Sequence, residues 1–303
     1  MKYYLSSILT IWIVTTLAQD NVVLTQRFNI GETYRFEIIR GNEDSRNPSS
    51  KDAFSITSAS ATVENGIDGN RIVKFQYGET RMVGIEMPPD VLEQFKSQDV
   101  YYGIELSLIV DSEGIFYELE NYSSAKDQLE KAMMKIYTGR SFDEATINKI
   151  KRQLATTYET EEKLIDTYFP ELSIYFNAFG NTYTIGEVQQ YEYETTNPFG
   201  GEPFPIQSKL ELEEMDGMIA VIRGKETIRP DDLNRVLKST FRKLAESNRQ
   251  GFDEREIPEF TMESTTEMKY DTASNKLFYV SVVKNINASG VSQKITTRIK
   301  MID

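Results

Sequence analysis

A chain of 303 residues is long enough for one large or two smaller domains. Its 47 acidic against 34 basic residues give a net charge of −13, which repels phosphate backbones and argues against a nucleic-acid partner. Histidine and cysteine are both absent, which excludes disulfides, thiol chemistry, Ser-His-Asp and Cys-His triads and His-containing zinc sites.

The first element is an export signal. Lys2 supplies a positive n-region, Leu5 to Leu17 an apolar run too short for a comfortable span, and Ala18 a small residue at the cleavage position. Cleavage after Ala18 is expected to leave Gln19 first. No cysteine follows the apolar run, which excludes a lipid-anchored bacterial lipoprotein, and no later stretch is apolar enough to cross a bilayer. The expected product is soluble, acidic and cysteine-free, which suits a bacterial periplasm or exterior.

Strands follow from Asn21. Tyr34, Phe36 and Ile38 alternate with Arg35 and Glu37, one face buried and one wet. A polar loop is expected over 41–51, a Ser/Thr-rich strand over 53–64, a turn over 65–70, and a strand over 71–77 with Val73, Phe75 and Tyr77 on one face. Met87-Pro88-Pro89-Asp90 opens a short helical segment over 91–96. A hairpin over 104–120 turns at Asp111-Ser112-Glu113-Gly114.

The middle of the chain reads as two helices. The first opens at Ser124, with Asp127 three residues on, and closes at Gly139. Ser141 and Glu144 cap the second, whose stripe of Phe142, Ile147, Ile150, Leu154, Tyr158, Ile165 and Tyr168 runs unbroken to a stop at Pro170. Such a stripe covers a sheet.

The order of the first half then returns. Gly31 to Tyr34 is echoed by Gly180 to Tyr183, and Asp68-Gly69 by Asp216-Gly217. Tyr77 to Arg81 is echoed by Arg223 to Thr227, Pro89-Asp90 by Pro230-Asp231, and Asp111 to Tyr117 by Asp271 to Tyr279. Ordered echoes of this kind point to an internal duplication. The second copy carries a longer helix over 231–249, striped with Leu233, Val236, Leu237, Phe241 and Leu244. A closing meander ends on Ile295, Thr297, Ile299 and Met301 facing one way. Lys294, Arg298 and Lys300 face the other, as a solvated face or as a cation-guarded edge.

The expected fold is α+β, mainly β: two duplicated antiparallel units forming a curved, half-barrel-like sheet with helices packed on it. The divisions are a signal peptide over 1–18, a first β unit over 19–121, central helices over 122–178 and a second β unit over 179–303.

Neither a dinucleotide fingerprint nor a P-loop occurs. The carboxylate pairs Glu192/Glu194 and Glu211/Glu213 lie at i, i+2, one strand face each, where acids keep a surface soluble; Asp253, Glu254 and Glu256 are the remaining acidic group. Glu64, Asn65, Asp68 and Asn70 lack EF-hand spacing and read as a turn. No catalytic residue, metal or cofactor is assigned. The aromatics are more suggestive, with 17 Tyr, 16 Phe and a single Trp, Trp12 in the export signal. Tyr34, Phe36, Phe75, Tyr77, Tyr191 and Tyr193 on the strands face Leu154 and Tyr158 on the helical stripe. Together they are either a filled core or the wall of an apolar ligand site.

The export signal, the G-x-T-Y strand openings at Gly31 and Gly180, the Asp-Gly turns and the closing strand pair over 271–283 resemble uncharacterised secreted or periplasmic β-rich proteins of Gram-negative bacteria. The layout is more remotely similar to the half-barrels of periplasmic lipoprotein carriers. That resemblance implies acyl chains held between sheet and helices. The expectation is therefore a non-catalytic exported protein that binds a lipid or other apolar small molecule and does not span a membrane. The alternatives are an interaction module of the cell envelope that binds another envelope protein, and a carboxylate-dependent glycan enzyme.

Overall fold

The computed structural model describes residues 21–47, 53–85, 88, 93, 99–138, 143–195, 197, 201–247 and 251–302. The expected export signal, the caps expected at Gly139 and Ser141, and all of the 91–96 segment except Glu93 lie outside the described residues.

The first half contributes β1 (Asn21–Val23), β2 (Thr33–Asp44), β3 (Phe54–Asn65), β4 (Arg71–Val83), β5 (Glu105–Val110) and β6 (Phe116–Leu119). Helices α1 (Tyr122–Thr138), α2 (Glu144–Thr157), α3 (Glu161–Tyr168) and α4 (Pro170–Phe176) follow. The second half contributes β7 (Thr182–Thr184), β8 (Val188–Thr195), β9 (Phe204–Asp216), β10 (Ile219–Thr227), helix α5 (Pro230–Ser247), β11 (Phe260–Asp271), β12 (Lys276–Ala288) and β13 (Val291–Met301).

All but two of the described strands form one antiparallel sheet in the order β6-β5-β4-β3-β2-β13-β12-β11-β10-β9-β8; β1 and β7 pair separately. Each half is a meander in chain order, and the halves meet where β2 pairs β13, with Phe36 opposite Met301, Ile38 opposite Ile299 and Arg40 opposite Thr297. The fold is thus α+β and mainly β. The closing strand is central, not an edge. Paired on both sides, it has no free edge to guard, and Lys294 and its neighbours are a solvated face, with Lys294 2.8 Å from Glu43. Asp68-Gly69 and Asp216-Gly217 both turn hairpins, β3–β4 and β9–β10. The Gly31 and Gly180 openings part company, leading into β2 of the large sheet and into β7 beside β1.

Alternation decides which face is covered. In β2, Tyr34, Phe36 and Ile38 are buried while Thr33 and Arg35 are exposed. Cross-strand register puts Ala59 and Ala61 of β3 beside these side chains and beside Phe75 and Tyr77 of β4. Small residues opposite large ones leave room for the rings. A bulge in β4 keeps Tyr77 and Thr80 on this inner face. Gly78 sits in that bulge because a Cβ there would collide with the Ser58 hydroxyl. The outer face is laced with cross-strand ion pairs, among them Lys74–Glu64 at 2.6 Å and Lys225–Glu263 at 2.6 Å. Solvated pairs of this kind contribute about 0–1 kcal/mol each, so the energy of the fold lies on the inner side.

The helices pack on that inner face, α1 against β5, α4 against β13 and α5 against β9 and β11. The long second helix expected over 142–168 is broken in two. Asp143 caps α2, its carboxylate accepting from Thr146 N at 2.7 Å, and Thr160 caps a new start, accepting from Lys163 N at 3.2 Å. A side-chain oxygen that satisfies the free N–H groups of a first turn makes a fresh helix competitive with continuation. α3 ends at Tyr168, just before Phe169 and Pro170, as expected, and Pro170 also occupies the first turn of α4, where its missing N–H costs nothing. No described helix is long and apolar enough to cross a membrane.

One contact at the β6 edge is open to test. Leu119 N donates to Glu161 Oε1 at 2.7 Å, so a carboxylate of α3 covers a backbone donor of the outermost strand. Burial raises the Glu161 pKa, which the Leu119 bond only partly offsets. A carboxyl raised on folding favours the native state below its unfolded value of 4.5, and that contribution is lost as pH rises through the folded value. The ionised form therefore costs stability at neutral pH. Glu161→Gln, whose amide oxygen still accepts from Leu119, should be more stable than the parent at pH 7, with the gain shrinking below pH ~4. Urea melts at both pH values check this, and a variant weaker at pH 7 than at pH 4 relative to the parent contradicts it.

Candidate functional site

Six of the eight residues singled out from the sequence come together. Tyr34, Phe36, Phe75 and Tyr77 are 1–3 % exposed, and Leu154 and Tyr158 join the same core at 7 % and 1 %. The space between them is occupied by the start and end of α4 and the turn after it. Tyr175 meets Phe36 edge-on at 5.5 Å between ring centroids, Phe169 lies 5.3 Å from Tyr77, and Phe36 and Phe75 are 5.4 Å apart. The polar tips of Tyr34, Tyr77 and Tyr175 are engaged, whereas the buried Tyr158 OH has no hydrogen-bond partner among the described residues. Tyr34 OH donates toward Arg27 O at 3.0 Å and Glu32 Oε2 at 2.7 Å, and Tyr175 OH donates to Leu277 O at 2.9 Å. Burial pushes the Tyr34 and Tyr158 hydroxyls up to about 12. This is a packed aromatic core.

Tyr191 and Tyr193 are placed elsewhere. Register with Ser208 and Ile206 sets them on the inner face, but on β8, at the far edge of the sheet, where they are 43 % and 44 % exposed. Tyr193 OH donates to Glu226 Oε1 at 2.7 Å. The carboxylates Glu192 and Glu194 alternate with them on the outer face, exposed to solvent.

The inner face changes character at a position that no local pattern marks. Beyond Ile38, the next inward residue of β2 is Arg40, half-buried. Its Nη2 lies 2.7 Å from Glu171 Oε1 on α4, and Tyr77 OH donates to the same oxygen at 2.6 Å. The guanidinium also stacks on Tyr101, 4.9 Å from the ring centroid. Glu171 is 1 % exposed, and its Oε2 has no hydrogen-bond partner among the described residues. Burial is the largest influence on the Arg40 pKa and works to lower it, but the charge and hydrogen bond of Glu171, together with Tyr101 and Tyr77, outweigh it and the net direction is up. Burial and the same carboxylate carry Tyr77 well above its usual value. A cation, an anion and two tyrosines thus close one end of the core.

A cleft of about 910 Å³ opens directly beyond this group. From the sheet it is walled by Arg40, Asn42, Ser55, Thr80 and Met82 of β2–β4 and by Ile295 and Thr297 of β13; Asp99, Val100, Tyr101 and Pro170 complete the lining. At the same end of the strands, α5 covers the inner face of β9 and β11, packing Leu233, Val236 and Leu237 on Phe204 and Ile206. Over β2–β4 the exposed wall is mostly apolar, with Arg40 and Tyr101 at its floor. A second cleft, about 570 Å³, lies between β6 and α3–α4 and carries Glu161, Glu162 and Asp166 beside Tyr117. Among the described residues no group of acidic side chains is placed to hold a metal ion.

Fold and cleft together define a class: an α+β protein whose single large antiparallel sheet carries helices on one face and leaves an apolar cleft with a polar floor at one end. No protein-family model matches the chain, and no curated protein matches its sequence. Among solved structures, it is similar to a chain from work described as "Lipid-protein interactions in lipovitellin", with a TM-score of 0.40 and 7 % identity over 91 % of this chain. The match takes in 25 % of the lipovitellin chain, so this protein spans about a quarter of that length. A likeness at that level gives this chain neither a family nor a ligand.

Proposed function

We propose that this protein is a non-catalytic, exported binding protein that holds a lipid or another apolar molecule in the cleft beside Arg40. The carrying observation is the cleft: a volume suited to one drug-sized apolar molecule, mostly apolar walls, and a few polar groups gathered at one end. Such an arrangement buries a chain or ring system and fixes its orientation by the polar end. The neighbouring aromatic core supplies a rigid back wall and not the binding volume, since its rings pack on one another.

The test uses a neutral, polarity-sensitive dye and organic extraction of the purified protein. Extraction followed by mass spectrometry should yield an apolar molecule, and the delipidated protein should bind the dye saturably. Ile295→Trp places a large side chain in the cleft wall. It should weaken dye binding about tenfold or more, a change of about 1.4 kcal/mol, with little change in melting temperature. An empty extract together with no saturable dye binding rules the reading out.

A second reading rests on a different feature. β8 is the edge strand opposite β6 and presents Val188, Tyr191 and Tyr193 to solvent, which suits strand addition by another envelope protein. Val188→Lys with Tyr191→Lys would abolish such an association and leave dye binding intact.

A further inference from the structure

We infer that the cleft selects an uncharged amphiphile whose polar end accepts a hydrogen bond, in preference to a fatty acid or any other anion. The inference rests on the binding reading proposed above and concerns only which ligand chemistry the site takes.

Arg40 is the residue that would ordinarily attract a carboxylate or phosphate. Here its charge is already matched. Glu171 Oε1 sits 2.7 Å from Nη2 and is shielded from water, so the pair presents little net charge to the cleft. The guanidinium has five N–H donors, and one hydrogen bond to a described residue engages it. Its side chain keeps 24 % exposure at the cleft floor, so donors remain for a ligand oxygen.

Another residue of the cleft wall adds a further negative charge. Asp99 lines the cleft, its two carboxylate oxygens fixed by Thr80 N at 3.1 Å and Tyr101 N at 3.1 Å. That carboxylate cannot swing away without losing both bonds. Among the described residues at this site, one cation therefore stands against two carboxylates. An anionic head would bring a third negative charge into a partly desolvated space, in a chain whose net charge is already −13. An ammonium head has no lone pair and cannot accept from the guanidinium, whose nitrogens only donate. A hydroxyl or ester carbonyl accepts from Arg40 and pays neither cost.

Competition against the bound neutral dye at pH 8 decides the matter, with three probes of equal chain length: monolauroyl glycerol, dodecanoate and dodecylammonium. The glyceride should displace the dye at about one-tenth the concentration that dodecanoate requires, the scale expected for one uncompensated charge in a partly buried site. Asp99→Asn should narrow that gap by improving dodecanoate alone. If dodecanoate or dodecylammonium displaces the dye as well as the glyceride does, the inference is overturned while the binding site stands. If none of the three displaces it, the occupant is not an amphiphile and the inference is overturned in the same way. Absence of dye binding in the parent protein removes the site itself and distinguishes failure of the broader reading.

Discussion

Replacing Phe75 by alanine should lower the stability of the fold by about 3–5 kcal/mol, the range for deleting a fully buried aromatic ring from a core that cannot collapse. The reasons are local. Phe75 is 3 % exposed, its ring lies 5.4 Å from Phe36 and 5.2 Å from Tyr77, and Ala61 and Leu106 sit opposite it on the two neighbouring strands. Every neighbour is itself held by the sheet register or by α4, so the vacated space stays largely empty. A ring lining a ligand site would lose less, because water could enter where the ligand had been. Tyr191→Ala is the contrast: the same family of side chain on the inner face, 43 % exposed at an edge strand, with an expected change within about 0.5 kcal/mol. Urea melts of both variants, with unchanged slopes, measure the difference. A loss below about 1.5 kcal/mol for Phe75→Ala would falsify the packed core and return those aromatics to a cavity wall.

What the sequence makes legible follows from how local the signal is. The period-two alternation of Tyr34, Phe36 and Ile38 announces both a strand and its covered side, because neighbouring side chains point to opposite faces. Leu154 and Tyr158 are likewise assigned to a covered helical face by their spacing alone. Pairing of β2 with β13 joins residues 249 to 265 positions apart, and no local pattern distinguishes a central strand from an edge when both carry lysines on one side. Helix α4 is missed for another reason. A proline read only as a terminator hides that Leu172, Tyr175 and Phe176 behind it recur at i, i+3 and i+4, a short apolar face that the structure buries. That signal was available. The cleft floor was not, since Arg40 and Glu171 are 131 residues apart and each, taken singly, reads as an ordinary surface charge.

Removing the cation from that floor has the second large effect. Arg40→Met should cost about 3 kcal/mol, the lower end of the range for breaking a buried ion pair, because Arg40 keeps 24 % exposure while Glu171 keeps 1 %. The loss does not measure the strength of the pair. It is dominated by stranding a carboxylate whose Oε2 already lacks a described partner and whose Oε1 would retain only the Tyr77 hydroxyl, now at 2.6 Å. Tyr77→Phe removes that hydroxyl and should cost less, about 1.5–3 kcal/mol, since Arg40 stays to compensate the charge. The decisive comparison is the double variant Arg40→Met with Glu171→Met. Two unbranched apolar side chains replace two charges that lost their hydration on folding, so the double variant should recover most of the Arg40→Met deficit. A double variant as unstable as the sum of the two single ones would show that Arg40 and Glu171 act through separate contacts. In that event Arg40 would face the cleft as an uncompensated cation, and the preference for an uncharged ligand head would lose its basis.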